Sequence, residues 1–262
     1  MMNEIVLIRG AGEHASGTAH RLFKAGFRIL MTELEMPLCV RRMVSFSSAI
    51  FGGIAEVEGV IGKKIDSIDA LDWNVVNVII DPNLNSLRIL KPSILIDARL
   101  KKRDIETRKG DASFVIGLGP GFTAGIHCDV VIETNRGHNL GKIIFNGEAE
   151  PDTGTPGSIR GESEYRILRA PCDGIFKSLR NIGDAVEKGD AVCRVGEREI
   201  SSLLKGVVRG LLHDGINVSQ NTKLGDIDPR LEPSYCFTLS DKTRTISGGV
   251  LEAILSNKSG RL

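Results

Sequence analysis

Residues 5–33 read Ile5-Val-Leu-Ile-Arg-Gly-Ala-Gly-Glu-His-Ala-Ser-Gly17, then Thr18-Ala-His-Arg-Leu-Phe-Lys-Ala-Gly26, then Phe27-Arg-Ile-Leu-Met-Thr-Glu33. The apolar run Ile5 to Ile8 predicts a strand buried on both faces. It leads into Gly10-Ala11-Gly12, a turn with little room for a Cβ. Ala15, Ala19, Leu22 and Phe23 then recur at helical spacing, and Gly26 stands where a helix C-terminus favours glycine. A second apolar run, Phe27 to Met31, ends at Thr32-Glu33. Strand, glycine turn, helix, strand, and a carboxylate about twenty residues past the glycines match the dinucleotide-binding crossover. In that reading Gly10 makes the turn and Gly12 lets the backbone approach a pyrophosphate. Ala15 replaces the third glycine, the helix N-terminus faces the anion, and Glu33 accepts hydrogen bonds from ribose hydroxyls. The same small residues would also serve simply to pack a helix on a sheet.

The 262 residues suffice for two ordinary domains, each with a sizeable core. With 34 Lys+Arg against 33 Asp+Glu, the chain lacks the basic excess of a nucleic-acid binder. Aromatics at 5% disfavour single-strand stacking platforms. No apolar run approaches a membrane span and no export segment opens the chain, so a cytoplasmic setting without membrane contact is expected. The five cysteines lack C-x-x-C spacing, which gives a metal site little support and suggests reduced thiols. Most read as small core residues, with Cys236 the outsider as a reactive thiol.

Further on, Leu38 to Phe51 looks helical, with Arg41 and Arg42 able to meet phosphates or to line a solvated face. Ile54 to Ile61 suggests a strand or hairpin, Ile65 to Trp73 a short helix, and Val75 to Ile80 another buried strand. A Leu84, Leu87, Leu90 stripe and the run Ile94 to Ile96 continue the alternation, which implies a parallel, doubly wound sheet. Phe114 to Gly125 is a strand running into a loop with Gly117, Gly119 and Gly121, which could form a nest of N–H groups for an anion or a plain flexible connection. Val130 to Ile132 leads into Glu133-Thr-Asn-Arg-Gly-His138. Both loops fall beyond strand ends, where ligands of open α/β sheets sit, and this makes Asn135, Arg136 and His138 site candidates.

Residues 147–164, rich in Gly, Pro, Ser, Thr and acids, read as a crossing between domains or a long functional loop. Beyond them the chain repeats at an offset of 32 residues, aligning Gly174 with Gly206, Leu179 with Leu211, Gly183 with Gly215 and Val186 with Val218. Two such halves would bury one shared apolar layer. The stretch resembles a barrel-sandwich hybrid of the biotinyl/lipoyl-like type. Its hairpin, Val195 to Ile200, has no lysine, so a swinging-arm role is not expected. The expected organisation is a Rossmann-like dinucleotide-binding domain over 1–164, the barrel-sandwich hybrid module over 165–230, and a C-terminal segment over 231–262. The helix of that last segment, with Val250, Leu251, Ile254 and Leu255 on one face, docks on the first domain.

Taken together, Arg9-Gly-Ala-Gly12, Met31-Thr-Glu33, Val44-Ser-Phe46, Ile116 to Gly125, Glu133 to His138, Ser240-Asp-Lys and Gly248-Gly-Val-Leu-Glu-Ala resemble the YqeB family over nearly the whole chain. One departure is Glu13-His-Ala-Ser-Gly17, where that pattern has Asp-Leu-Ala-Thr-Gly. The resemblance implies an accessory or maturation protein for selenium-dependent molybdenum hydroxylases. It would bind a nucleotide-bearing cofactor such as a molybdopterin dinucleotide and pass it to a hydroxylase or its maturation proteins. The competing readings are an NAD(P)-dependent oxidoreductase using the same Rossmann site and a structural interaction protein. Whether a reaction is catalysed stays open, no catalytic residue is assigned, and a homo-oligomer is compatible with each reading.

Overall fold

The computed structural model describes residues 4–260. They divide into two units, one comprising residues up to Pro37, Ser45–Asp152 and Leu239 onward, the other Leu38–Val44 and Thr153–Thr238.

In the first unit, β1 (Ile5–Arg9), α1 (Glu13–Lys24) and β2 (Arg28–Glu33) follow the opening pattern. Next come α2 (Ala49–Gly52), the hairpin β3 (Ile54–Val57) and β4 (Val60–Ile65), β5 (Val76–Ile80), α3 (Asn85–Leu90) and β6 (Ile94–Asp97). β7 (Phe114–Leu118), β8 (Thr123–Ala124), β9 (Val130–Ile132), β10 (Ile143–Ile144) and β11 (Gly147–Glu148) precede the chain's passage into the second unit. The main sheet has nine strands in the order β10-β9-β7-β6-β1-β2-β5-β4-β3. Seven neighbouring strands run parallel, while β10 and β3 are antiparallel to their partners. Period-two alternation sends Leu7, Leu30, Leu95 and Val115 into the cluster on one face. On the other face α1 packs with α4 (Asp241–Lys258), the C-terminal helix.

A doubly wound sheet needs a helix in each crossover so that both faces are covered. Here β4 reaches β5 through a three-residue 3₁₀ turn, Ile68–Ala70, and residues 98–113 between β6 and β7 hold no helix. The sheet is therefore mixed and unevenly covered, which corrects the expected Rossmann-like doubly wound parallel fold. The helices read into Leu38–Phe51 and Ile65–Trp73 shrink to 3₁₀ turns and the four-residue α2.

The second unit contains β12 (Ile167–Arg169), β13 (Gly174–Ser178), β14 (Ala185–Val186), β15 (Ala191–Val195), β16 (Arg198–Ser201), β17 (Gly206–Leu211), β18 (Asn217–Val218) and β19 (Lys223–Asp228). The 32-residue repeat pairs crosswise. Gly174 of β13 registers with Val218 of β18, and Val186 of β14 with Gly206 of β17, so each half lends a short strand to the other. Both sheets bury one core that includes Phe176, Val195, Val208, Leu211 and Leu224. β12 and β16, which likewise stand 32 residues apart, add one strand each and complete two separate four-stranded antiparallel sheets. This architecture corrects the expected barrel-sandwich hybrid module.

Arg41, one of the two arginines offered to phosphates, is buried and donates to the carbonyls of Arg209, Tyr235 and Cys236 at 2.9, 3.1 and 3.3 Å. Cys236 is fully buried and burial raises its thiol pKa, so the reactive-thiol reading fails there. Arg42 Nη1 lies 3.3 Å from His213 Nδ1. Burial, reinforced by Arg42, pushes the His213 imidazole down to about 4. Above pH 6.5 the ring is neutral in the folded and unfolded chain alike, and stability is undiminished. Below that, the unfolded ring takes its proton first, and stability falls until about pH 4. The loss should reach about 1–2 kcal/mol once solvent screening is included. Urea midpoints for the wild type and His213→Gln, measured from pH 7 to pH 4, should converge as the pH falls.

Candidate functional site

The loops at the carboxyl ends of β1, β7 and β9 and the N-termini of α1 and α4 meet within the first unit. The Gly10–Gly12 turn makes its hydrogen bonds inside the chain. Gly10 has φ +98°, and the Ala11 N–H donates to Glu33 Oε2 at 2.8 Å. The Ala11 carbonyl accepts the N–H of Ser47 at 3.0 Å and the Ser16 hydroxyl at 2.9 Å. Arg99 lies against Gly10, where a Cβ would come within 3.3 Å of its Cγ. Ala11 and Ala15 are fully buried. Burial raises the Glu33 pKa, while the N–H bonds from Leu34 and Ala11 pull it back. A carboxylate of the chain itself thus stands at the turn.

The glycine loop is likewise packed rather than open. A Cβ at Gly117 would meet Phe122 at 2.4 Å, one at Gly119 would meet Thr134 at 2.4 Å, and one at Gly121 the Lys102 carbonyl at 2.9 Å. Asn135 donates to Glu150 Oε2 at 2.6 Å. Arg136 forms a two-pronged pair with Asp241 at 2.8 and 2.9 Å, which ties it to the first turn of α4. His138 is exposed and lines a different cleft, along α1 and α4. Gly10, Gly12, Ala15 and Glu33 are therefore together, Gly117, Gly119 and Gly121 line the neighbouring loop, and His138 stands apart from both groups.

What the structure adds is Lys242. Ser240 caps α4 through its side chain, so Lys242 occupies the second position of the helix. A cation there opposes the helix dipole, whose N-terminal end is positive. Lys242 is half-buried, and desolvation, then Arg136, lowers its pKa, against attraction from Glu13, Glu133 and Asp152. Its ammonium makes no hydrogen bond or ion pair among the described residues, in contrast to its neighbours. Glu13 accepts from Ser240 at 3.0 Å and from Thr243 at 3.3 Å, and His14 Nδ1 lies 2.8 Å from Thr243 Oγ1. Glu133, 2% exposed, accepts the N–H groups of Asn135 and Glu150, both at 2.7 Å. Sequence reasoning passed over Lys242, although a lysine two residues past a capping serine, ahead of an apolar helical stripe, was a readable signal. Among the described residues no group of three or more His, Cys, Asp or Glu side chains could hold a metal ion, and no helix is long and apolar enough to cross a membrane.

Fold and site together define a two-unit protein, a mixed α/β unit with charged groups gathered at its strand ends and an all-β unit built on an internal repeat. No protein-family model matches the chain. Over 257 residues, 97% of its length, it is 46% identical to the uncharacterized protein YqeB of Escherichia coli K12. That identity places it in the YqeB family for the region the two share, and the chain spans about half of that relative, 48% of its length. Solved structures similar to it include an aspartoacylase family protein of Mesorhizobium loti, 13% identical, covering 86% of this chain and 85% of that one at a TM-score of 0.28. Another is the ectoine utilization protein EutE (DoeB) of Ruegeria pomeroyi, 12% identical, with 86% and 85% coverage and a TM-score of 0.27. A third is a succinylglutamate desuccinylase of Silicibacter sp. TM1040, 12% identical, with 86% and 84% coverage and a TM-score of 0.26.

The turn that would receive the pyrophosphate of a nucleotide-bearing cofactor is occupied by the chain's own Glu33, Ser47 and Arg99. The expectation of an accessory protein for selenium-dependent molybdenum hydroxylases is corrected accordingly. So are the Rossmann nucleotide-binding reading and its oxidoreductase alternative, because both rest on the same turn.

Proposed function

We propose that the first unit binds a small anionic molecule at the carboxyl ends of its parallel strands and exchanges a proton with it through Lys242. The observation that carries this reading is a half-buried ammonium without an ion pair. An unpaired cation withdrawn from water is costly, and an anionic ligand would offset that cost. Its lowered pKa brings proton release closer to neutrality than in a free lysine, which suits a general base. Glu13, Glu133 and Asp152 would orient the ammonium, and Arg136, held by Asp241, would keep a second positive charge nearby.

The test has two arms. In the first, the Lys242 side chain is followed by NMR through a pH titration, where it should lose its proton below the exposed lysines. Titration together with them would exclude the reading. In the second, a panel of carboxylates and phosphate monoesters is screened by thermal shift on wild type and Lys242→Met. A charge-assisted bond is worth about 1.5–3 kcal/mol, so the variant should bind any hit roughly tenfold to a hundredfold more weakly. Equal binding by the two proteins would also exclude it.

A further inference from the structure

A second cleft lies further along α1 and α4, within the first unit and apart from Lys242. Its volume is about 620 Å³, in the range of small-molecule sites. Three segments form it. α1 contributes Arg21, the loop after β9 contributes His138 and Lys142, and α4 contributes Arg244 and Glu252.

Two adjacent glycines of α4 shape the floor in different ways. A Cβ at Gly249 would stand 2.2 Å from the Gly141 carbonyl oxygen, so its absence lets the loop lie directly on the helix. A Cβ at Gly248 would stand 3.2 Å from Arg21 Nη1, so its absence leaves room for the guanidinium. Arg244 is paired with Glu58 at 2.5 Å. Arg21 and Lys142 have no ion pair among the described residues. The cleft therefore offers two uncommitted cations and an imidazole, with Glu252 as the single carboxylate of its lining.

The geometry points to a binding site for a small polyanion, a molecule with at least two negative charges, gripped by Arg21 and Lys142 on either side of the Gly248–Gly249 floor. The planar guanidinium can donate two parallel hydrogen bonds to a phosphate or a carboxylate, while the ammonium acts as a point charge. Phosphate and carboxylate sources share this chemistry, so the two probes are pyrophosphate and citrate.

Calorimetric titration of the full chain with each probe distinguishes them. One of the two should bind at millimolar concentration or better, and more weakly as ionic strength rises. The Arg21→Gln/Lys142→Gln double variant should raise the Kd at least tenfold. Gly248→Ala, which crowds the flexible end of Arg21 rather than backbone, should weaken binding without lowering the melting temperature. Lys242→Met, in the other site, should leave this binding intact, which separates the two proposals. If the wild type takes up neither probe, or if the double variant binds as the wild type does, the inference is wrong.

Discussion

Asp97→Ala is expected to destabilise the protein by about 3–5 kcal/mol, the range for breaking a buried charge pair. Asp97 is fully buried at the end of β6. It accepts from Arg99 Nε at 3.0 Å, from Arg99 Nη2 at 2.8 Å and from the Thr107 hydroxyl at 2.6 Å. Thr107 in turn accepts from the buried Arg9 at 3.0 Å. Alanine would leave two guanidinium groups facing each other, with only the half-exposed Glu106 between them and solvent. Asp97→Asn keeps the shape and one acceptor oxygen, and should lose clearly less. Urea unfolding reads the difference as a lowered midpoint at unchanged slope. A midpoint for Asp97→Ala equal to that of the wild type would show that the network does not stabilise the fold.

The second large effect is expected at Gly249. An alanine there gains about 1 kcal/mol of helix propensity. Its Cβ, however, would stand 2.2 Å from a backbone carbonyl oxygen that has little freedom to retreat. Gly141, which carries that oxygen, has φ +79° and is itself held against Thr245 of α4. Overpacking of this kind costs about 1–3 kcal/mol and occasionally more, and here the clash should outweigh the propensity gain. Gly249→Ala should lower the melting temperature by several degrees, while Gly248→Ala next to it should keep it or raise it slightly. The contrast is the check, because both alanines gain the same propensity and only one meets backbone. Equal melting temperatures for the two variants would refute the close contact.

Local pattern carried much of the architecture. The strands at Ile5, Val76, Ile94, Phe114 and Val130 are short apolar runs bounded by turn residues, and they form where the runs lie. The repeat from Gly174 was equally readable, because glycines and apolar residues recur at one fixed offset. The class of fold was not readable, since class depends on what fills the crossovers. Residues 98–113 hold no helix, and their charges are drawn instead into the Asp97 network.

The site divides along the same line. By itself, the sequence determined that a glycine turn follows the first strand, that Glu33 ends the second, and that a helix carries Val250, Leu251, Ile254 and Leu255 on one face, because each of these depends on neighbours within a few turns. Only the tertiary structure decided what those groups touch. Glu33 turns back onto Ala11, Arg136 is claimed by Asp241 105 residues away, and Glu13 reaches Ser240 across 227 residues. The charge left over from these pairings, the ammonium of Lys242, is a remainder of long-range contacts. Its place after Ser240 is legible in the sequence, but its lack of an ion pair is not, because hydrogen-bond partners are settled by packing rather than by sequence distance.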